Sequence, residues 1–162
     1  MSTISRRSAA VGVASLAAIG ALFAAAVPAS AAPAAAQSCA VNLQTHTTAC
    51  GAGESQAKQL AAVPAASVLA VRLYDGYNYT GTSWDYYVPK ACTAGYDGEY
   101  GLADLGPASN KASSVHTYNH CDVHLHDPLN YGNPHSVWID QAPDLRTIGD
   151  GWNNRASSIG IS

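Results

Sequence analysis

The chain has 162 residues and sets 8 Lys and Arg against 11 Asp and Glu, a formal net charge of −3. With no basic stripe to neutralise phosphates, it is not expected to bind nucleic acid. Its length suits one domain with a modest core, and beyond an apolar N-terminal run nothing is long or apolar enough to span a bilayer.

Residues 1–31 read as a secretory signal peptide. Arg6 and Arg7 precede a long Ala/Val/Leu run that ends in the small-residue stretch "PASAAPAAA". Ala29 and Ala31 fit cleavage after Ala31, and Ala34 with Ala36 offers a second site. The run is Ala- and Gly-rich rather than Leu- and Ile-rich, which argues against a membrane anchor. Its removal takes away two arginines, moves the formal charge from −3 to −5 and places the protein outside the cell.

Residues 32–70 hold a cysteine-flanked segment, "CAVNLQTHTTAC", followed by "GAGESQAKQLAAVPAAS". The first reads as a hairpin. In the second, Glu54 to Ala62 can form a short helix stopped by Pro64, and a flexible small-residue linker is the alternative. All four cysteines lie in the exported part, an even number that suits an oxidising compartment and two disulfides. Three pairings are possible. Cys39 with Cys50 and Cys92 with Cys121 is preferred because the first pair flanks one hairpin, and no C-x-x-C spacing supports a zinc site.

From residue 71 the chain repeats itself. "VRLYDGYNYTGTSW" aligns with "VHLHDPLNYGNPHSVW" at an offset of 52, which superposes Asp75 on Asp127, Asn78 on Asn130 and Tyr79 on Tyr131. Near-copies of an amide-basic-Ala-Ser-Ser phrase, "SNKASSV" and "NNRASSI", close the two halves. Residues 71–118 and 123–161 are therefore two copies of one unit. Within each, Val71 and Leu73, or Val123 and Leu125, alternate with polar residues in the manner of a half-buried strand. Turn residues at Asp75-Gly76, Gly81, Asp97-Gly98, Asn133-Pro134 and Asp150-Gly151 punctuate short strands, as in an all-β sandwich of Greek keys.

Tyr74, Tyr79 and Gly81 match an aromatic, four spacers, an aromatic, one spacer and a glycine. On that motif residues 71–162 resemble the beta/gamma-crystallin family. The resemblance implies a Greek-key beta-sandwich of two tandem motifs, and secreted bacterial members also carry an N-terminal cysteine-flanked hairpin. The glycine is required because the first hairpin folds back over the sheet at a backbone position with φ above zero. In the second unit His126 replaces the first aromatic, and Asn133 stands at the glycine position with Gly132 one place early. Asn tolerates the same backbone, so the hairpin is expected to persist, slipped or distorted.

The resemblance further implies calcium. In this family the phrase [N/D]-[N/D]-x-x-[S/T]-S is a clamp, and two clamps in tandem exchange ligands to form two sites. The ligands would be the side chains of Asn110 and Asn154, the carbonyls of Lys111 and Arg155, the hydroxyls of Ser113 and Ser157, and hairpin oxygens near Asp75 and Asp127. The second clamp fits well; the first has Ser109 where Asn or Asp belongs. Calcium accepts six to eight oxygens, and amide-rich clamps imply weak binding, roughly 10⁻⁴ to 10⁻³ M. The competing reading is that the same Asn and Ser side chains only tie the turns to the sheet.

His116, His120, His124 and His126 with Cys121 form the densest group of soft ligands, in a spacing that fits no zinc pattern. Surface histidines are the expectation, a transition-metal site the alternative. Nine tyrosines and three tryptophans are assigned chiefly to packing, with Tyr79 and Tyr131 at fold-defining positions and Trp84, Trp138 and Trp152 in or beside strands. No nucleophile elbow, H-E-x-x-H or phosphate loop is present, so no enzyme is expected. The expectation is a secreted, monomeric, non-enzymatic calcium-binding protein. One alternative is an inhibitor or toxin-like effector directed at an extracellular protein such as a protease, through the loop "TAGYDGEYGLADLG". The other is a carbohydrate-binding surface module.

Overall fold

The computed structural model describes residues 36–162; the proposed signal peptide lies outside the described residues. Ten strands and one short helix follow in order: β1 (Ser38–Asn42), β2 (Thr47–Gly51), α1 (Glu54–Leu60), β3 (Val68–Tyr74), β4 (Ser83–Val88), β5 (Tyr100–Leu102), β6 (Ser114–Thr117), β7 (Val123–His126), β8 (His135–Ile139), β9 (Gln141–Ala142) and β10 (Ser158–Ile161). They form a six-stranded sheet, β2-β1-β4-β3-β6-β9, and a four-stranded sheet, β5-β10-β7-β8. The architecture is the expected all-β sandwich. Each repeat contributes four strands, and the third strand of each, β5 or β9, is lodged in the sheet built by the other.

Alternation along the strands sends one set of side chains into the space between the sheets. Val71, Leu73, Tyr86 and Val115 of the first sheet, and Val123, Leu125, Ile159 and Ile161 of the second, are fully buried. At about 1.5–3 kcal/mol for each large aliphatic side chain, this layer is the main stabilising element. Trp84 and Trp152 join it as expected, but Trp138 is only half-buried and Tyr131 is 46 % exposed, so these two rings are not core. Their positions lie on the outward face of the second sheet and on the hairpin leading into β8.

The cysteine-flanked segment is built into the first sheet. Its strand β1 runs parallel to β4, with Cys39 opposite Trp84 and Asn42 opposite Tyr87. The segment from Glu54 is a helix rather than a linker, and α1 covers the outer face of β1 and β4 through a small cluster of Ala40, Ala57, Ala61 and Tyr87. Polar contacts reinforce the docking: Tyr87 donates to Glu54 at 2.9 Å, and Arg72 reaches Glu54 at 3.1 Å while its guanidinium also grips the buried Asp85. The disulfides pair as preferred, Cys39 with Cys50 across the β1–β2 hairpin and Cys92 with Cys121 between the loop after β4 and the segment just before β7. Among the described residues no helix is long and apolar enough to cross a membrane.

Candidate functional site

The two phrases and the two folded-back hairpins meet in a pseudo-symmetric arrangement, and the backbone shows how. Ser113 N–H donates to Tyr74 O at 2.7 Å and Ser157 N–H to His126 O at 2.8 Å, which lays each phrase beside the hairpin of its own unit. The phrases also cross: Asn110 N–H donates to Ala156 O at 2.8 Å and Asn154 N–H to Ala112 O at 2.7 Å. Both asparagines take left-handed backbone, with φ of 57° and 54°. Asn is among the few residues that do so at low cost.

That crossing divides the labour within each phrase. The second serine is a fastening. Ser114 Oγ donates to Gly76 O at 2.7 Å and accepts from Tyr79 N–H at 3.0 Å, and Ser158 repeats the pattern with Pro128 O at 2.8 Å and Tyr131 N–H at 3.0 Å. The first serine faces the opposite unit. Ser113 Oγ lies 3.4 Å from Asn154 Oδ1, and Ser157 Oγ 3.4 Å from Asn110 Oδ1. In each pair the hydroxyl is buried and the amide more exposed. At 3.4 Å the contact is long, so the amide oxygens keep acceptor capacity. Asn153, which precedes Asn154, has its Oδ1 buried without a hydrogen-bond partner. Hard neutral oxygens drawn from two loops are a donor set that fits calcium.

The two hairpins differ. In the first, Asp75 Oδ1 accepts from Thr82 N–H at 2.8 Å, Gly76 N–H donates to Thr80 O at 3.0 Å, and Gly81 sits at φ 84°. Prolines 128 and 134 occupy the equivalents of Gly76 and Thr82, so both donors are missing. The expectation that Asn133 would take the left-handed glycine backbone is corrected: its φ is not positive, and the Asn133–Pro134 peptide is cis. A residue before proline is held toward extended backbone, which is the reason. The hairpin still closes, through Asp127 N–H to Pro134 O at 3.1 Å, the counterpart of Asp75 N–H to Thr82 O. Freed of its backbone donor, the Asp127 carboxylate pairs with Arg155 Nε at 2.9 Å. Arg155 also reaches Asp150 at 3.1 Å and lies 4.6 Å from the Trp152 ring centroid. Asp127 and Asp150 both favour its charged form and raise its pKa. A cation therefore already sits on Asp127, while Asp75 has none. Lys111 extends over the Trp84 ring at 5.8 Å.

The proposed histidine group does not assemble. His116 packs at a tilt against Tyr118 and Tyr79 on the first sheet, with centroids 4.5 and 5.6 Å away, His120 is exposed in a turn, and Cys121 is in a disulfide. The split arises because β6 and β7 belong to different sheets. His124 and His126 instead join His135 of β8, with ring centroids 4.2 to 5.6 Å apart. His135 was not singled out from sequence; its place opposite His126 in a strand pair is the signal that would have found it. Among the described residues no three His, Cys, Asp or Glu side chains are set to hold one ion.

Burial, followed by the His135 and His126 imidazoles, holds His124 below the usual histidine pKa. A base whose folded-state pKa is depressed stabilises the fold above its unfolded pKa of about 6.5, and that contribution is lost as pH falls below there and through the lower folded-state pKa. Thermal unfolding should therefore show a lower Tm at pH 5 than at pH 8, and His124→Phe should flatten the difference. A pH dependence unchanged in that variant would assign the effect to other groups.

The loop between Cys92 and the first phrase is anchored despite its exposure. Thr93 N–H and Oγ1 both donate to Glu99 at 2.5 Å, Asp97 N–H donates to Ser162 Oγ at 2.8 Å, and the exposed Tyr96 ring stacks on Trp138 at 5.7 Å.

No protein-family model matches the chain, and no curated protein matches it. Several solved structures are similar. A betagamma-crystallin domain from Flavobacterium johnsoniae is 22 % identical with a TM-score of 0.41, the match covering 57 % of this chain and 93 % of that one. A double mutant of a betagamma-crystallin domain from Clostridium beijerinckii is 19 % identical with a TM-score of 0.42, covering 58 % and 97 %. A betagamma-crystallin from an archaeon is 18 % identical with a TM-score of 0.40, covering 57 % and 96 %.

Proposed function

We propose that this chain, a Greek-key sandwich of beta/gamma-crystallin type, is a secreted, non-enzymatic protein whose crossed loops bind calcium and thereby stabilise the fold. The observation that carries the reading is the exchange of partners between the two phrases. Ser113 with Asn154, and Ser157 with Asn110, each bring a hydroxyl and an amide oxygen together from different repeats. Asp75 and the first pair would hold one ion, Asp127 and the second pair the other, with the carbonyls of Lys111 and Arg155 as further oxygens. Bound there, calcium supplies a divalent charge that gathers oxygens from loops otherwise joined by long contacts.

Arg155 makes the two sites unequal. A guanidinium on Asp127 competes with any cation there, so the site at Asp75 binds more tightly.

Calcium titration by calorimetry should show a stronger and a weaker step near 10⁻⁴ to 10⁻³ M. Because Ser113 and Ser157 are buried, the more exposed asparagines are the better targets. Glycine at these left-handed positions removes the amide without backbone strain. Asn154→Gly should remove the stronger step and Asn110→Gly the weaker. At a hundredfold excess over Kd, calcium should add about 2.7 kcal/mol to stability. No heat up to several millimolar calcium would overturn the reading and leave the phrases as fastenings.

A further inference from the structure

The outward face of the second sheet carries a trough different in character from the oxygen-rich loops. One row runs across all four strands: Gly101 of β5 lies opposite Gly160 of β10, Gly160 opposite His124 of β7, and His124 opposite Trp138 of β8. Two glycines side by side leave this part of the sheet without side chains. Around them rise His124 and Trp138, stacked with centroids 4.7 Å apart, with Tyr96 also stacked on the indole at 5.7 Å so that Trp138 turns its Cη2 edge toward the floor, and on the other side the exposed Tyr131. The result is a trough of about 450 Å³.

Gly160 has no conformational reason to be glycine. Its φ is not in the left-handed region, and a Cβ built there would make only ordinary contacts, 3.7 Å from His124 Cβ, 3.8 Å from His126 Nε2 and 3.9 Å from Trp138 Cη2. Glycine within a strand weakens it, and where backbone geometry does not demand it, glycine marks close approach by another group. Gly101 differs, since its Cβ would meet Ile159 O at 2.8 Å and the Tyr131 ring at 2.9 Å. Gly160 is thus the bare patch of floor that packing does not explain.

The lining selects the ligand. No Lys or Arg lines the trough, and Glu99 stands at its edge, so an anion is disfavoured. His126 donates from Nδ1 to Gly132 O at 3.0 Å, which leaves Nε2 as a lone-pair acceptor directed over Gly160. Acceptors over a glycine floor between aromatic walls suit a flat ring rich in hydroxyl donors. A few fixed polar groups on an apolar and aromatic surface, at this volume, is the usual composition of a small-ligand site. We propose that this trough binds a neutral saccharide, with Trp138 and Tyr131 as walls and His126 Nε2 as the orienting acceptor.

The test is retention of the purified protein on cellulose, chitin and starch columns in EDTA, so that its outcome is independent of calcium. Retention on at least one, reversed by the matching free oligosaccharide, is expected. Gly160→Ala should weaken it by about tenfold through one methyl group on the floor, while Tm stays the same or rises. Trp138→Ala should abolish it. Flow-through on all three matrices, or retention that both variants leave intact, would overturn the proposal.

Discussion

Arg72→Met should destabilise the protein by about 3–5 kcal/mol, read as a fall in the denaturant midpoint at constant m. Arg72 and Asp85 face each other in the β3–β4 pair, and Asp85 is 1 % exposed. Burial pushes the Asp85 carboxyl up and Arg72 pulls it back down, while Asp85 in turn holds the Arg72 charge in place. Removing the arginine strands a buried acid with no counter-charge. It also frees Glu54, and with it one of two polar ties that hold α1 on the sheet. The double variant Arg72→Met, Asp85→Leu should recover most of the loss, because a well-packed apolar pair commonly replaces a buried ion pair without cost. If the single variant unfolds at the wild-type midpoint, the pair is not the anchor of this face.

Loss of the Cys92–Cys121 disulfide should be nearly as costly. It closes a segment with a sequence separation of 29, which in the chain-entropy account corresponds to about 3.5 kcal/mol. The Cys39–Cys50 bridge, at a separation of 11, corresponds to about 3 kcal/mol and acts only within one hairpin. Cys92→Ser with Cys121→Ser should therefore lower Tm more than Cys39→Ser with Cys50→Ser. The reverse order would show that the N-terminal hairpin, through its parallel contact with β4, governs stability.

Much of this was legible in the sequence. Period-two alternation at Val71, Leu73, Val123 and Leu125 marks the inward faces, because a strand has only two sides. The repeated Asn-Tyr pairs and Ala-Ser-Ser phrases mark the hairpins and the loops that fasten them. The exchange of third strands was hidden: β9 has two residues and β5 three, too few to show any alternation. Arg155 was equally opaque. Its phrase position names a carbonyl, while its side chain acts on Asp127 across 28 positions and Asp150 across 5. Tyr131 was misplaced because a residue aligned with Tyr79 need not share its packing once two prolines reshape the turn around it. The trough is illegible for a related reason, since glycines far apart in sequence become neighbours only when β5 and β10 pair.

The placement of β10 sets the order of events when the chain is made. It lies between β5 and β7, so Leu102 must wait for Ile159 before it has a strand partner. A nascent chain can assemble the hairpin, the helix and most of the first sheet, but the second sheet has no middle until residues 158–161 emerge. Half-built, the protein would show an uncovered row of Val71, Leu73 and Val115, a surface that chaperones recognise. Completion of the second sheet is consequently a late event, timed by the arrival of β10.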